Sequence, residues 1–91
     1  MEWTWDERKA AANYLKHGIR FETAIAIFDD PLMLTVPDPH PDDDRWQTTG
    51  KVDLATFLVV HTEMNEDGVG RIISARRATR TERRKYETIR L

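Results

Sequence analysis

Residues 54–62, LATFLVVHT, form the most β-branched and apolar stretch of the chain, and they constrain its fold more than any other. Such a run belongs in the middle of a sheet, where neighbouring strands and covering layers remove it from water. It needs a strand on each side. RWQTTG at 45–50 supplies one, joined through a turn at Gly50, Lys51, Val52 and Asp53. Residues 69–76 supply the other, beyond an NEDG hairpin turn at 65–68. Strands arriving in succession with short turns predict an antiparallel meander.

The first third of the chain predicts what covers that sheet. Residues 2–5 alternate polar and apolar with Trp3 and Trp5 on one side, as a short half-buried strand does. Asp6 has the chemistry of an N-cap, residues 7–17 follow a helical period with Ala11, Tyr14 and Leu15 as the buried stripe, and Gly18 supplies the stop. A second short helix is expected over 19–28, with Phe21, Ala24, Ile25 and Phe28 on one face and Asp29, Asp30 and Pro31 ending it. Residues 32–36 tend to β structure. Pro37, Pro39 and Pro41 then break the ladder and leave an acidic loop, 38–44, around His40. The expected class is α+β in one domain, 1–91, with a short N-terminal strand and two helices, an antiparallel β-meander, and a C-terminal helix.

Composition narrows the function. The 91 residues include no cysteine, so disulfide frameworks and zinc-thiolate sites are excluded. The carboxylates around His40 match no calcium or zinc spacing, and no metal or other cofactor is called for. The N-terminus lacks the apolar run of a signal peptide and no stretch approaches a membrane span, so a soluble, cytoplasmic protein without membrane contact is expected. Glycine patterns for phosphate loops or dinucleotides are absent, and Ser74 lacks the setting of a hydrolase nucleophile.

Charge is the stronger signal. The formal net charge is −2, yet residues 1–44 sum to −6 and residues 45–91 to +4. Between 71 and 90 eight Lys or Arg face two Glu. That excess spans a predicted strand end, a turn and a helix whose start is marked by Thr79 and Glu82 as a capping box. Strict alternation would put Arg71, Ile73, Ala75 and Arg77 on one face and Ile72, Ser74 and Arg76 on the other. Arg76 and Arg77, with Arg80, Arg83 and Arg84 from the helix, are suited to a phosphate because arginine offers planar paired donors. The alternative is a solvated face whose cations pair with Glu82 and Glu87. The helix has only Tyr86, Ile89 and Leu91 to bury, so it docks loosely or is completed by a partner.

Cleaving RNA without a metal requires a base for the 2′-hydroxyl, an acid for the leaving 5′-oxygen, and cations for the crowded phosphate. Lys16, His17, His61 and Tyr86 are the candidate proton carriers, and Arg71, Arg76 and Arg80 the candidate cations. Each also has a plain structural reading: a helix-end cation for Lys16 and His17, a half-buried strand residue for His61, a core residue for Tyr86.

The ordered blocks WDERKAAANYLKHGI, FDDP, RWQTTG, LVVHT and RIISARRATRTERRKYE resemble the BrnT family of type II toxins. The resemblance runs from about Trp5 to Glu87. It implies a RelE-like fold and a metal-independent endoribonuclease of the mRNA interferase type that arrests translation. It also implies a BrnA-type antitoxin forming a hetero-oligomer with the toxin, and contact with operator DNA only through that antitoxin. Residue by residue it points to Lys16 and His17 in KHG, to Arg71 and Arg76 in the last strand, and to Glu82, Arg83 and Tyr86 in the closing helix. Lys16, His17, Arg71, Arg76 and Tyr86 are thus the expected catalytic groups, with Arg77, Arg80 and Arg83 on RNA phosphates. Where relatives often read T-x-R after the central strand, this chain has Thr62, Glu63 and Met64. A second class of function is a non-catalytic basic module that binds an acidic protein segment or nucleic acid. Direct DNA binding is disfavoured, since no helix-turn-helix pattern is present.

Overall fold

The computed structural model describes residues 1–40 and 44–88. Among these, five strands form one sheet: β1 (Glu2–Thr4), β2 (Leu34–Pro37), β3 (Arg45–Val52), β4 (Ala55–Thr62) and β5 (Val69–Arg77). Three helices accompany it, α1 (Glu7–His17), α2 (Phe21–Ala24) and α3 (Arg80–Thr88), and α2 runs directly into a 3-10 turn, Ile25–Asp29. The strand order is β1-β5-β4-β3-β2, which puts the LATFLVVHT strand in the centre as its composition requires. Strands β2 to β5 are an antiparallel meander. The sheet as a whole is mixed, because β1 lies parallel to β5 at the far edge. Parallel pairing is possible because most of the chain forms the crossover between them.

One face of the sheet carries the core. Ile19, Phe21, Ala24 and Ile27 pack on Phe57, Val59, Ile72 and Ala75. Ile72 and Ala75 share this face despite the odd spacing between them, because β5 contains a bulge. His61 pairs with Ile72 while Val60 pairs with Ser74, leaving Ile73 as the extra residue. The alternation expected from sequence is therefore broken at Ile73. In consequence Arg71, which strict parity sets apart from Arg76, ends on the same face as Ser74 and Arg76.

Helix α1 begins as its sequence dictates, with Asp6 Oδ1 accepting the Arg8 and Lys9 amides at 2.8 and 3.3 Å, and it ends at Gly18, φ 70°. Its buried side differs from the expected stripe. Ala11 is exposed, as are Tyr14 at 43% and Leu15 at 88%, and the buried residue is Asn13. Beyond Arg71 no strand among the described residues pairs with the outer edge of β5, so Ala75 needs a polar partner there. Asn13 supplies it, donating to the Ala75 carbonyl at 2.8 Å and accepting from the Ala75 amide at 3.1 Å. Gly50 also departs from its expected role. It sits inside β3, where a Cβ would lie 2.9 Å from Ile27 Cβ, and the turn falls instead at Asp53 and Leu54, with Asp53 at φ 54°.

The opposite face is covered only in part. Helix α3 packs against β3, where Thr49, Leu58 and Tyr86 are buried. The two remaining apolar residues expected for this helix, Ile89 and Leu91, lie outside the described residues.

Candidate active site

The arginines of the last strand and helix meet at the end of β5. Thr79 and Glu82 form the capping box that starts α3: the Thr79 amide donates to Glu82 Oε1 at 2.8 Å, and the Glu82 amide donates to Thr79 Oγ1 at 3.2 Å. The Glu82 carboxylate then reaches back to β5 and takes two bonds from Arg76, Nη1 to Oε1 at 2.7 Å and Nη2 to Oε2 at 2.9 Å. Arg76 Nη1 also donates to the Arg77 carbonyl at 3.2 Å. The bidentate bond from Arg76, more than any other influence, pulls the Glu82 carboxyl down to about 2, and Glu82 in turn raises the Arg76 guanidinium above its ordinary value.

Around this fixed pair the other cations are looser. Arg77 is exposed at the strand end, its guanidinium 6.0 Å from the Phe57 ring centroid. Arg80 is exposed in the first turn of α3. Arg83 makes a long pair with Glu87 at 3.7 Å. Arg77 and Arg83 line one cleft of about 390 Å³ together with Lys51 and Glu87, so two of the three expected phosphate-binding arginines converge. Lys51 is the cation sequence reasoning did not select. It was read as a turn residue, and only the two-residue turn after Val52 carries it into the cleft.

The expected catalytic residues do not form one cluster. Arg71 shares the face of Arg76 but stands about five residues, roughly 15 Å, back along β5, with its amide donating to Thr62 Oγ1 at 2.9 Å. Lys16 and His17 are exposed in the last turn of α1, in the layer on the other side of the sheet. Neither side chain enters a hydrogen bond or ion pair among the described residues. Tyr86 is 1% exposed, and its hydroxyl donates to Asp30 Oδ2. Asp30 also accepts the Lys51 amide at 2.9 Å and the Leu32 amide at 2.9 Å. It thereby ties the helical layer, β3 and α3 together, a role its place in FDDP did not reveal.

His61 lies on the opposite face from the Arg76–Glu82 pair, level with Ile72 of β5. Its Nδ1 donates to the Thr62 carbonyl at 2.8 Å, which leaves Nε2 of the neutral ring to accept the Thr48 hydroxyl at 2.6 Å. Thr35 completes the chain by donating to Thr48 at 2.8 Å. Trp3 and Phe28 enclose the ring edge-on, both with centroids at 5.1 Å. Burial lowers the pKa of His61, against a smaller upward pull from the Thr62 carbonyl. The cavity beside it, about 320 Å³ and bounded by Trp46, Met33 and Met64, is almost wholly apolar. Among the described residues no group of three or more His, Asp or Glu is placed to hold a metal ion.

The model of one family, described as "Ribonuclease toxin, BrnT, of type II toxin-antitoxin system", matches residues 5–82. The chain belongs to the BrnT family. The match covers most of the chain, from Trp5 through Glu82, and so includes Lys16, His17, Arg71, Arg76, Arg77 and Arg80 while stopping short of Arg83 and Tyr86. Membership of a family of ribonuclease toxins of type II toxin-antitoxin systems implies an RNA substrate and an antitoxin partner. A search of curated proteins returns no match.

Proposed function

We propose that this BrnT protein is a RelE-like, metal-independent endoribonuclease of the mRNA interferase type, which arrests translation by cutting RNA. The observation that carries the proposal is the end of β5, where Arg76 is bonded to Glu82 of α3 and Arg77 shares a cleft with Arg83, while the β5 bulge turns Arg71 to the Arg76 face about five residues back. In the reaction, the 2′-oxygen attacks the adjacent phosphorus and loses its proton to a base. The bond from phosphorus to the 5′-oxygen breaks, that oxygen takes a proton, and a 2′,3′-cyclic phosphate remains. Arg76 balances the charge gathered on the scissile phosphate, Arg71 meets the RNA backbone further along the same face, and Arg77, Arg80 and Arg83 hold neighbouring phosphates. Lys16 and His17, exposed at the end of the helix that packs on β5, serve an RNA strand that passes over the β5 edge and touches both layers. Tyr86 is buried under α3, so its contribution runs through the anchoring of that helix on Asp30. A BrnA-type antitoxin neutralises the enzyme in a hetero-oligomer and provides any contact with operator DNA.

A second reading, a non-catalytic basic module, is favoured by two observations: Arg76 is already committed to Glu82, and the proton carriers are spread over two layers. Incubating antitoxin-free protein with RNA in the presence of a chelator separates the two. We expect fragments ending in cyclic phosphate, with Arg76→Ala slowing their release by roughly 100-fold. Wild-type protein that binds the RNA and leaves it intact would establish the binding module instead.

A further inference from the structure

The Arg76–Glu82 pair uses one particular edge of the guanidinium. Arginine has five N–H groups in a planar fork, which can engage an acid through its two terminal nitrogens or through Nε and one terminal nitrogen. Here Glu82 takes Nη1 and Nη2, and the second Nη1 hydrogen goes to the Arg77 carbonyl. The Nε–H and the outer Nη2–H form the second edge of the fork. Neither has a partner among the described residues. Arg76 is also the one arginine of the set held in this way, since the Arg83 pair is long and single.

Glu82 is itself immobilised. It is bound through the capping box to Thr79 at the start of α3, so the carboxylate is a fixed wall against which the guanidinium lies flat. A side chain with four rotatable bonds is thereby reduced to one orientation before any substrate arrives, which is how arginine gains selectivity for a tetrahedral anion. Glu82 remains charged throughout the physiological range, with its carboxyl held at about 2. Because Nη1 and Nη2 are occupied, a phosphate has no need to displace the carboxylate. It docks on the opposite edge.

We infer that Glu82 is a positioning residue for the ribonuclease reaction: it clamps the terminal edge of Arg76 so that Nε–H and Nη2–H face the RNA phosphate as a preset pair. This inference rests on the functional reading above, with Arg76 as a phosphate-binding group. Two substitutions separate it from a structural role in α3. Glutamine at position 82 keeps the capping box, which accepts Glu or Gln equally, and removes the charge that clamps Arg76. Thr79→Ala weakens the cap from the other side and leaves the clamp.

For Glu82→Gln we expect kcat for RNA cleavage to fall roughly 10- to 100-fold with KM nearly unchanged. For Thr79→Ala we expect a lowered Tm and wild-type cleavage. Equal losses in the two variants, or faster cleavage by Glu82→Gln, would overturn the inference, the first reducing Glu82 to a cap and the second making it a competitor for the phosphate. A readout independent of cleavage is the Arg76 Nε–H resonance of labelled protein titrated with a 2′-O-methylated oligoribonucleotide, which lacks the attacking hydroxyl. The resonance is expected to shift in wild type and to respond weakly in Glu82→Gln. No shift in wild type overturns the proposal whatever the cleavage data; a shift without any RNA cleavage supports the clamp and removes only the enzymatic reading.

Discussion

Gly70 shows how much of this small protein depends on a missing side chain. Trp3, on the edge strand β1, reaches across β5 to stack on Phe28 with ring centroids 4.3 Å apart and to enclose His61. The path lies directly over Gly70, where a Cβ would stand 2.6 Å from Trp3 Cζ3 and 3.0 Å from Cε3. The ring cannot yield by moving one flexible end, because its other face rests on Phe28. Gly70→Ala is therefore expected to lower stability by about 2–3 kcal/mol, read by urea unfolding, and to change tryptophan fluorescence as the indole is displaced. A substitution without effect on either would mean that Trp3 has free space to retreat. Asp30 makes a related point, since one carboxylate gathers the Lys51 and Leu32 amides and the Tyr86 hydroxyl. Sequence marked it only as a helix breaker.

At the scale of elements, the signals that survive from sequence are those written in adjacent residues. Asp6 and Gly18 at the two ends of α1, the Thr79–Glu82 box at the start of α3 and the Asn65 turn are local chemistry, and the structure follows them. Features decided by distant parts of the chain were illegible. The face of α1 follows the unpaired edge of β5, so it buries the polar Asn13 rather than the apolar Leu15. The faces of β5 follow a bulge that no residue type announces, and for that reason the shared face of Arg71 and Arg76 could not be read from alternation. The parallel pairing of β1 is fixed only when both ends of the chain are in place. Asn13 supplies the test at this scale. Asn13→Ala strips partners from the Ala75 amide and carbonyl, and a buried unpaired group costs about 1–3 kcal/mol. We expect a loss of that size, together with faster amide hydrogen exchange at Ala75 than at Val59, its partner in β4. Uniform acceleration across the sheet would place the effect in global stability rather than at the α1–β5 joint.

For the whole molecule, His61 and Glu82, both with shifted pKa values, sit on opposite faces of the sheet and act in different pH windows. His61 is buried and neutral, with its pKa below the ordinary value of 6.5. The unfolded chain therefore takes up a proton at this site as pH falls through about 6.5 while the folded chain resists, and each further unit removes up to about 1.4 kcal/mol of stability until the folded ring also titrates. Glu82 acts lower. Its stabilising contribution is complete above the unfolded value near 4.5 and is lost as pH falls towards about 2. Because its side chain is 26% exposed, solvent screening reduces that contribution to about 1–2 kcal/mol. Unfolding free energies measured in urea from pH 8 down to pH 3 should consequently fall in two limbs. The upper limb should flatten in His61→Phe, which keeps an aromatic ring between Trp3 and Phe28, and the lower limb should flatten in Glu82→Gln. Each variant should leave the other limb in place, because His61 and the Arg76–Glu82 pair lie on opposite faces of the sheet, four residues apart along β5, and unlinked groups contribute additively. If Glu82→Gln altered the limb near pH 6.5, the two faces of the sheet would be coupled, and the acid sensitivity of this protein would belong to the fold as a unit rather than to two local partnerships.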